Sequence, residues 1–189
     1  MIADEQTKKY YESLTKEVWK QYEVAKKAKE KGFDPSLEVE CKPVADLAQR
    51  AEEIIGLKGL AKRYRELLRE EKDRIKIIFQ IFKEIIEEKW IKIPDLEKRI
   101  ELAIKAGLVL ITEGVVVSPL DGLPKICISK NYDGSKYVDI YFAGPIRAAG
   151  GSATVMPLIL GDYARRLLGL DRYKPTKEEI ERYVEEIIQ

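Results

Sequence analysis

The sequence contains no histidine, and that absence removes several kinds of chemistry before any motif is sought. A Ser-His-Asp triad, a Cys-His dyad, a histidine-ligated zinc site and an imidazole acid–base step are all excluded. Cysteine is almost as scarce. Cys41 and Cys127 lie far apart and are too few for a disulfide scaffold or a cysteine-only metal site. Both read as reduced thiols, with the cytoplasm as the expected compartment. Asparagine occurs once, as Asn131, and no apolar run approaches the roughly 18 residues of a membrane span. The first residues enter a charged helix and not a signal-peptide hydrophobic region, so a soluble protein without a membrane partner is expected. An excess of one charge is missing too: 34 Lys and Arg face 33 Asp and Glu, for a net charge of +1.

What is present is charge in quantity together with apolar material. Charged residues are 35% of the 189, above the roughly 25% of ordinary domains, and hydrophobic residues are 45%, enough to build a core. Because the charges nearly cancel, disorder driven by charge excess is excluded. Abundant Glu, Lys, Arg and Ile beside a single Asn is the composition of hyperthermophile proteins.

Periodicity divides the chain into three regions. Residues 4–31 read as one helix, with Tyr11, Leu14, Val18, Tyr22 and Ala25 in register and Gly32 as its stop, so 1–32 forms a long amphipathic N-terminal helix. The connector FDPSLEVECKP follows, its two prolines biasing the residues before them away from helix. Helical period then resumes at Val44, breaks at Gly56 and Gly59, and continues through 60–69 and 72–88. The latter carries an apolar stripe of Ile75, Ile78, Phe79, Phe82, Ile85 and Ile86. Pro94 and Asp95 open another helix that runs towards Gly107. This makes 33–112 a helical region. From 113 the character changes: EGVVVS (113–118), KICISK (125–130) and KYVDIYF (136–142) are short, β-branched or alternating. Asp133-Gly134 between the last two is a hairpin signal that makes them antiparallel neighbours. A helix over 152–168, with Val155, Leu158, Ile159, Tyr163 and Leu167 on its apolar side, and a last helix introduced by the capping pair Thr176 and Glu179, complete the region 113–189. That last helix is still periodic at Gln189, as expected of a fragment of a longer chain. The expected class is α+β and predominantly helical: an N-terminal helical array with a small antiparallel hairpin packed with C-terminal helices.

Three sets of residues offer function. YFAGPIRAAGGSA (141–153) puts Gly144, Gly150 and Gly151 between a strand and a helix N-terminus. There, free backbone N–H groups, the helix dipole and Arg147 suit an anion. The glycine spacing matches neither GxGxxG nor GxxxxGK[ST], and a tight strand-to-helix turn needs the same small residues. Arg165, Arg166, Arg172 and Lys174 suit either a helix C-terminus or a phosphate backbone, diluted by Asp162, Asp171, Glu178 and Glu179. A second mixed run, Lys58 to Lys76, allows the same two readings. On the first helix, Tyr11, Leu14 and Val18 at heptad-like spacing, widened by Trp19 and Tyr22, either pack on the protein's own array or join another chain. Asp121 and Asp139 are isolated, and no carboxylates stand at a two-metal or acid–base spacing, so no catalytic residue and no metal ligand is assigned.

The strings 141–153 and LLGLDRYKPTKEEIERYVEEI (167–187) closely resemble the large subunit of the archaeal family D DNA polymerase, also called DNA polymerase II. TEGVVVSPLDG (112–122) and YEVAKKAKEKGFDP (22–35) are similar to that family's N-terminal region, so the resemblance spans almost the whole chain. Departures are confined to Ser152, the TVMP run at 154–157 and the less recognisable helices of 60–89. The resemblance implies a non-catalytic N-terminal fragment of a replicative DNA-directed DNA polymerase. Its metal-binding aspartates lie beyond this segment, and no residue here matches them. It further implies Mg²⁺ as the cofactor of the full enzyme with none in the fragment. The implied partners are a smaller subunit with 3′–5′ exonuclease activity, a second large subunit and DNA. Two roles fit the fragment: assembly through Tyr11, Leu14, Val18, Trp19 and Tyr22, and DNA or phosphate contact through Gly144, Arg147, Gly150, Gly151, Arg165, Arg166 and Lys174. A stand-alone nucleotide- or phosphate-binding module using the 144–151 turn is the alternative.

Overall fold

The computed structural model describes residues 4–33, 43–112, 122–144, 146 and 151–188. The expected strand at 113–118, Cys41 and Asp121 lie outside the described residues. The chain divides into two compact units, Met1–Ala45 and Asp46–Gln189.

The first unit carries α1 (Glu5–Glu30). Asp4 caps it by accepting the Thr7 N–H at 2.7 Å, and Lys27 and Lys29 sit in the last turn, where the helix dipole favours cations. At 1.5 Å per residue its 26 residues span about 39 Å. Gly32, at φ 77°, takes the left-handed turn that ends it.

The second unit holds α2 (Leu47–Ile55), α3 (Leu60–Glu70), α4 (Arg74–Ile86), α5 (Leu96–Ile111), β1 (Lys125–Lys130), β2 (Lys136–Tyr141), α6 (Gly151–Leu167) and α7 (Lys177–Ile188). Seven helices and one antiparallel strand pair among the described residues make the fold predominantly helical α+β, as expected. Asp46, Asp73 and Asp95 cap α2, α4 and α5 through their carboxylates. Gly56 and Gly59 both adopt left-handed φ, so the two glycines form the α2–α3 corner. Glu52 stands in for the missing side-chain cap of α3 by accepting the N–H groups of Gly59 and Ala61.

The core lies around α4 and α5. Ile77, Ile78, Ile81, Phe82 and Ile85 of α4 and Ile100, Ala103, Ile104, Leu108, Val109 and Leu110 of α5 are all buried. The two helices are clamped end to end. Arg74 at the start of α4 donates to the carbonyls of Leu110 and Ile111 at the end of α5, and Arg99 of α5 donates to the Ile86 carbonyl at 3.1 Å. The hairpin and α6 pack on α5, and α6 also meets α4 through Tyr163 against Phe79 and Phe82, with Ile126, Leu160 and Ala164 buried.

Several sequence expectations shift here. The apolar side of α4 is wider than the expected stripe: Ile77 and Ile81 are buried while Ile75 is half exposed. Helix α5 does not stop at Gly107 but runs on to Ile111, because Gly107 serves packing and not termination. A Cβ there would lie 2.8 Å from Leu160 Cδ1 of α6. On α6 the packed face is not the one through Val155, Leu158 and Ile159, which are 51%, 53% and 45% exposed. The parallel row one residue on, Met156, Leu160 and Ala164, meets the core together with Tyr163 and Leu167. Two adjacent i,i+4 rows are both apolar, and periodicity does not choose between them.

One ion pair is set into this core. Glu84 of α4 is 2% exposed and accepts from Arg63 Nε and Nη2 of α3, both at 2.7 Å, and from Gln80 at 2.7 Å. Burial alone would raise the Glu84 carboxyl; the bonds from Arg63 and Gln80 overcome it and hold the group below its ordinary value. Arg63→Ala leaves that charge buried with half its partners, and a loss of about 3 kcal/mol is expected in urea unfolding. The double variant Arg63→Met with Glu84→Leu should recover most of it. A single variant within about 0.5 kcal/mol of the wild type would show that the pair does not hold α3 to α4.

Candidate interaction surfaces

The hairpin is built from its turn outwards. Asp133 Oδ1 accepts from the Ser135 N–H at 2.9 Å, Gly134 takes φ 83°, and Asn131 and Ser135 close the loop. From there Lys130 pairs with Lys136, Ile128 with Val138 and Ile126 with Ile140. The residues between Leu168 and Thr176 pass alongside, and the single asparagine fastens them. Asn131 is 7% exposed, donates to Ser135 Oγ at 2.9 Å and the Arg172 carbonyl at 2.8 Å, and accepts the Lys174 N–H at 2.8 Å. A second fastening is electrostatic. Lys174 Nζ lies 2.6 Å from Asp133 and 2.5 Å from Asp171. Tyr173 stacks its ring 5.1 Å from that of Tyr137 and donates its hydroxyl to Glu179 at 2.7 Å, which pushes its pKa up to about 12. The expected capping pair is formed: the Thr176 N–H donates to Glu179 and the Glu179 N–H to Thr176 Oγ1.

These bonds decide which of the sequence-selected cations are free. Arg165 binds Asp162 at 2.7–2.8 Å and donates to the Leu170 carbonyl at 3.3 Å. Arg166 reaches the same Asp162 at 2.8 Å but remains 67% exposed. Lys174 is shared by two carboxylates. Arg172, which sequence reasoning grouped with them, carries no ion pair among the described residues, and neither do Lys130 and Lys136. The two lysines were not singled out beforehand: a two-residue Asp133-Gly134 turn would set Lys130 opposite Tyr137, whereas the observed register sets it opposite Lys136.

Of the glycine string, Gly144 is exposed and Gly151 opens α6 at φ 54°, each with open space where a Cβ would stand. Arg147 and Gly150 lie outside the described residues. Among the described residues no group of three or more His, Cys, Asp or Glu is placed to hold a metal ion. No helix among them is long and apolar enough to cross a membrane.

On α1 the stripe expected for self-association is exposed: Tyr11 60%, Leu14 44%, Val18 44% and Trp19 42%, with Tyr22 partly so. Trp19 and Tyr22 meet edge to face at 5.5 Å. These rings prearrange a rigid apolar surface at small cost in side-chain entropy.

Compared with known proteins, residues 9–189 match the family described as DNA polymerase II large subunit DP2, N-terminal. The chain is 44% identical over 189 residues to the DNA polymerase II large subunit of Pyrococcus abyssi, covering 99% of this chain and 13% of that protein. It is 42% identical over 183 residues to the subunit of the same name from Methanothermobacter thermautotrophicus, covering 94% and 16%. With that of Haloarcula marismortui it shares 40% over 185 residues, covering 98% and 13%. The chain thus spans only 13% to 16% of the length of these relatives.

The Lys174 cluster has a defined pH window. Hydrogen bonding to Lys174 first of all holds Asp133 and Asp171 below the ordinary 3.8, and bonding to Asp133 and then Asp171 holds Lys174 above the ordinary 10.5. Lowered carboxyls contribute stability that is complete above about pH 4 and lost as pH falls through their folded values. The raised ammonium contributes below about pH 10 and loses its share as pH rises beyond that. Lys174→Met should therefore lower the melting temperature at pH 7 and flatten its fall between pH 4 and pH 2. Melting curves that fall in parallel over that acid range would show that the cluster carries no folding free energy.

Proposed function

Because the chain belongs to the family of DNA polymerase II large subunits, as their N-terminal part, we propose that it is a non-catalytic assembly module of an archaeal replicative DNA polymerase. The exposed stripe Tyr11, Leu14, Val18, Trp19 and Tyr22 of α1 carries this reading. A helix of 26 residues gains little from propensity alone, and an aromatic apolar face of this kind is stabilised by burial against a partner. A second copy of the large subunit is the partner assigned to it, the small subunit with 3′–5′ exonuclease activity being the further member of the assembly. The whole protein would be a DNA-directed DNA polymerase, joining a primer 3′ hydroxyl to the α-phosphate of a deoxynucleoside triphosphate with release of pyrophosphate, and Mg²⁺ would supply charge stabilisation for that transfer. No residue of this segment takes part in that step.

DNA contact is a secondary contribution. It is supported by Arg166, exposed beyond its ion pair, with Arg147 beside it in the assignment. Arg165 and Lys174 belong to the same set but would have to leave carboxylates to meet a phosphate. The net charge of +1 fits a modest affinity, since dedicated nucleic-acid modules are far more basic.

Two measurements test the two parts. Val18→Lys with Trp19→Glu should halve the mass seen by light scattering at high protein concentration while the helical circular dichroism is kept; an unchanged mass for a folded variant would remove α1 from assembly. Arg147→Ala with Arg166→Ala should shallow the salt dependence of DNA binding by about two charges. An unaltered slope would remove these arginines from DNA contact.

A further inference from the structure

Two hydrogen bonds fix which way the backbone groups of the hairpin face. The Ile128 N–H donates outwards to Glu97 of α5 at 2.9 Å, and the Lys136 carbonyl accepts outwards from the Asp171 N–H at 2.8 Å. In an antiparallel pair, residues alternate between facing the partner strand and facing away. Ile126 and Ile128 of β1, and Val138 and Ile140 of β2, therefore turn their N–H and C=O groups away from the ladder. The edge of β1 is covered by Glu97 and the packing of α5. The edge of β2 is not: beyond the Asp171 bond, Val138 and Ile140 have no backbone partner there among the described residues.

That edge opens into a groove of about 220 Å³, lined among others by Val138, Ile140, Leu158, Gly161, Arg172 and Tyr173. Its floor is apolar. Gly161 brings α6 so close to β2 that a Cβ would lie 2.7 Å from Ile140 Cδ1, and Leu158 stands 53% exposed beside them. Its lining includes Arg172, whose guanidinium carries no ion pair among the described residues. Asp162 and Asp171 line the same groove, which suits a peptide with separate polar and apolar sides better than a phosphate backbone. A two-stranded sheet is marginal by itself, and an open, half-apolar edge is a template for another strand.

We propose that the open edge of β2 receives an extended segment of a partner protein as the third strand of this sheet, with alternate apolar side chains over Leu158 and Ile140 and a carboxylate opposite Arg172. The backbone of Val138 and Ile140 supplies the hydrogen bonds, the floor reads the alternation, and Arg172 reads the charge. This surface belongs to the second unit and is independent of the α1 stripe, so loss of either leaves the other intact.

The test uses the 189-residue chain with an acetylated, amidated hexapeptide of sequence TVEVTV, followed by NMR and hydrogen exchange. Saturation with peptide should slow exchange of the Val138 and Ile140 amides by about tenfold or more, and leave the Cys127 and Asp139 amides, which face inside the ladder, unchanged. N-methylating alternate peptide residues should abolish binding in one phase of the alternation and spare it in the other. Val138→Pro removes an N–H that no ladder bond uses, so the hairpin should persist while peptide affinity falls about tenfold or more. Arg172→Ala, a surface change, should weaken TVEVTV but not its TVQVTV counterpart. The proposal is overturned if the wild type does not bind the peptide, if Val138→Pro binds it equally, or if single-stranded oligothymidylate displaces it. Concentration-dependent pairing of two copies that Val138→Pro abolishes would also overturn it, by assigning the edge to a second copy.

Discussion

Helix α5 carries a glycine at a point where Leu160 of α6 leaves no room for a side chain. Gly107 gives up its Cβ at a point 2.8 Å from Leu160, and that approach places the rest. The next residue of α6 after Leu160, Gly161, meets Ile140 of the hairpin. The hairpin in turn is trapped between α5, through Ile126 and the Glu97 bond, and α6. A side chain at Gly107 would force Leu160 to shift in a closely packed core.

Charge is used in this chain mostly to fasten its own parts. The balance of 34 against 33 has a structural counterpart in the pairs Arg63–Glu84, Arg65–Asp46, Arg165–Asp162 and Lys174 with Asp133 and Asp171. Each joins segments or closes a helix end. Among the described residues the cations near the hairpin without an ion pair are Lys125, which lies over the Tyr141 ring, Lys130 facing Lys136 across the ladder, and Arg172. Like charges directly opposite each other in a sheet cost stability, so this end of the hairpin favours an acidic neighbour. In the large-subunit family to which the chain belongs, this segment is a minor share of the relatives' length.

The sequence made the elements legible where chemistry is local. The Thr176–Glu179 box and the Asp133-Gly134 turn each act within a few residues, and the structure forms both. The exposed stripe of α1 was legible as a period. Tertiary choices were not. Gly107 reads as a helix stop until Leu160 is seen against it, and α6 has two adjacent apolar rows between which periodicity does not choose. The fate of Arg165 and Lys174 depends on carboxylates brought beside them by the fold, and the open edge of β2 depends on the parity of hydrogen bonds, which no side-chain pattern encodes. Asn131 could have been found earlier. A lone asparagine in a chain otherwise without them marks a place where an amide is hard to replace, and here it holds three bonds at once.

Assembly through α1 is the claim on which the functional account rests, and it differs physically from the stability of the second unit. Protection of α4 and α5 comes from burial within one chain and is independent of concentration, whereas protection of α1 by a second copy follows mass action. Amide hydrogen exchange of the whole chain, measured across a hundredfold range of protein concentration, separates the two. The account predicts that amides from Tyr11 to Tyr22 exchange more slowly as concentration rises while those of α4 and α5 keep constant rates. Rates in α1 that do not change with concentration would contradict it.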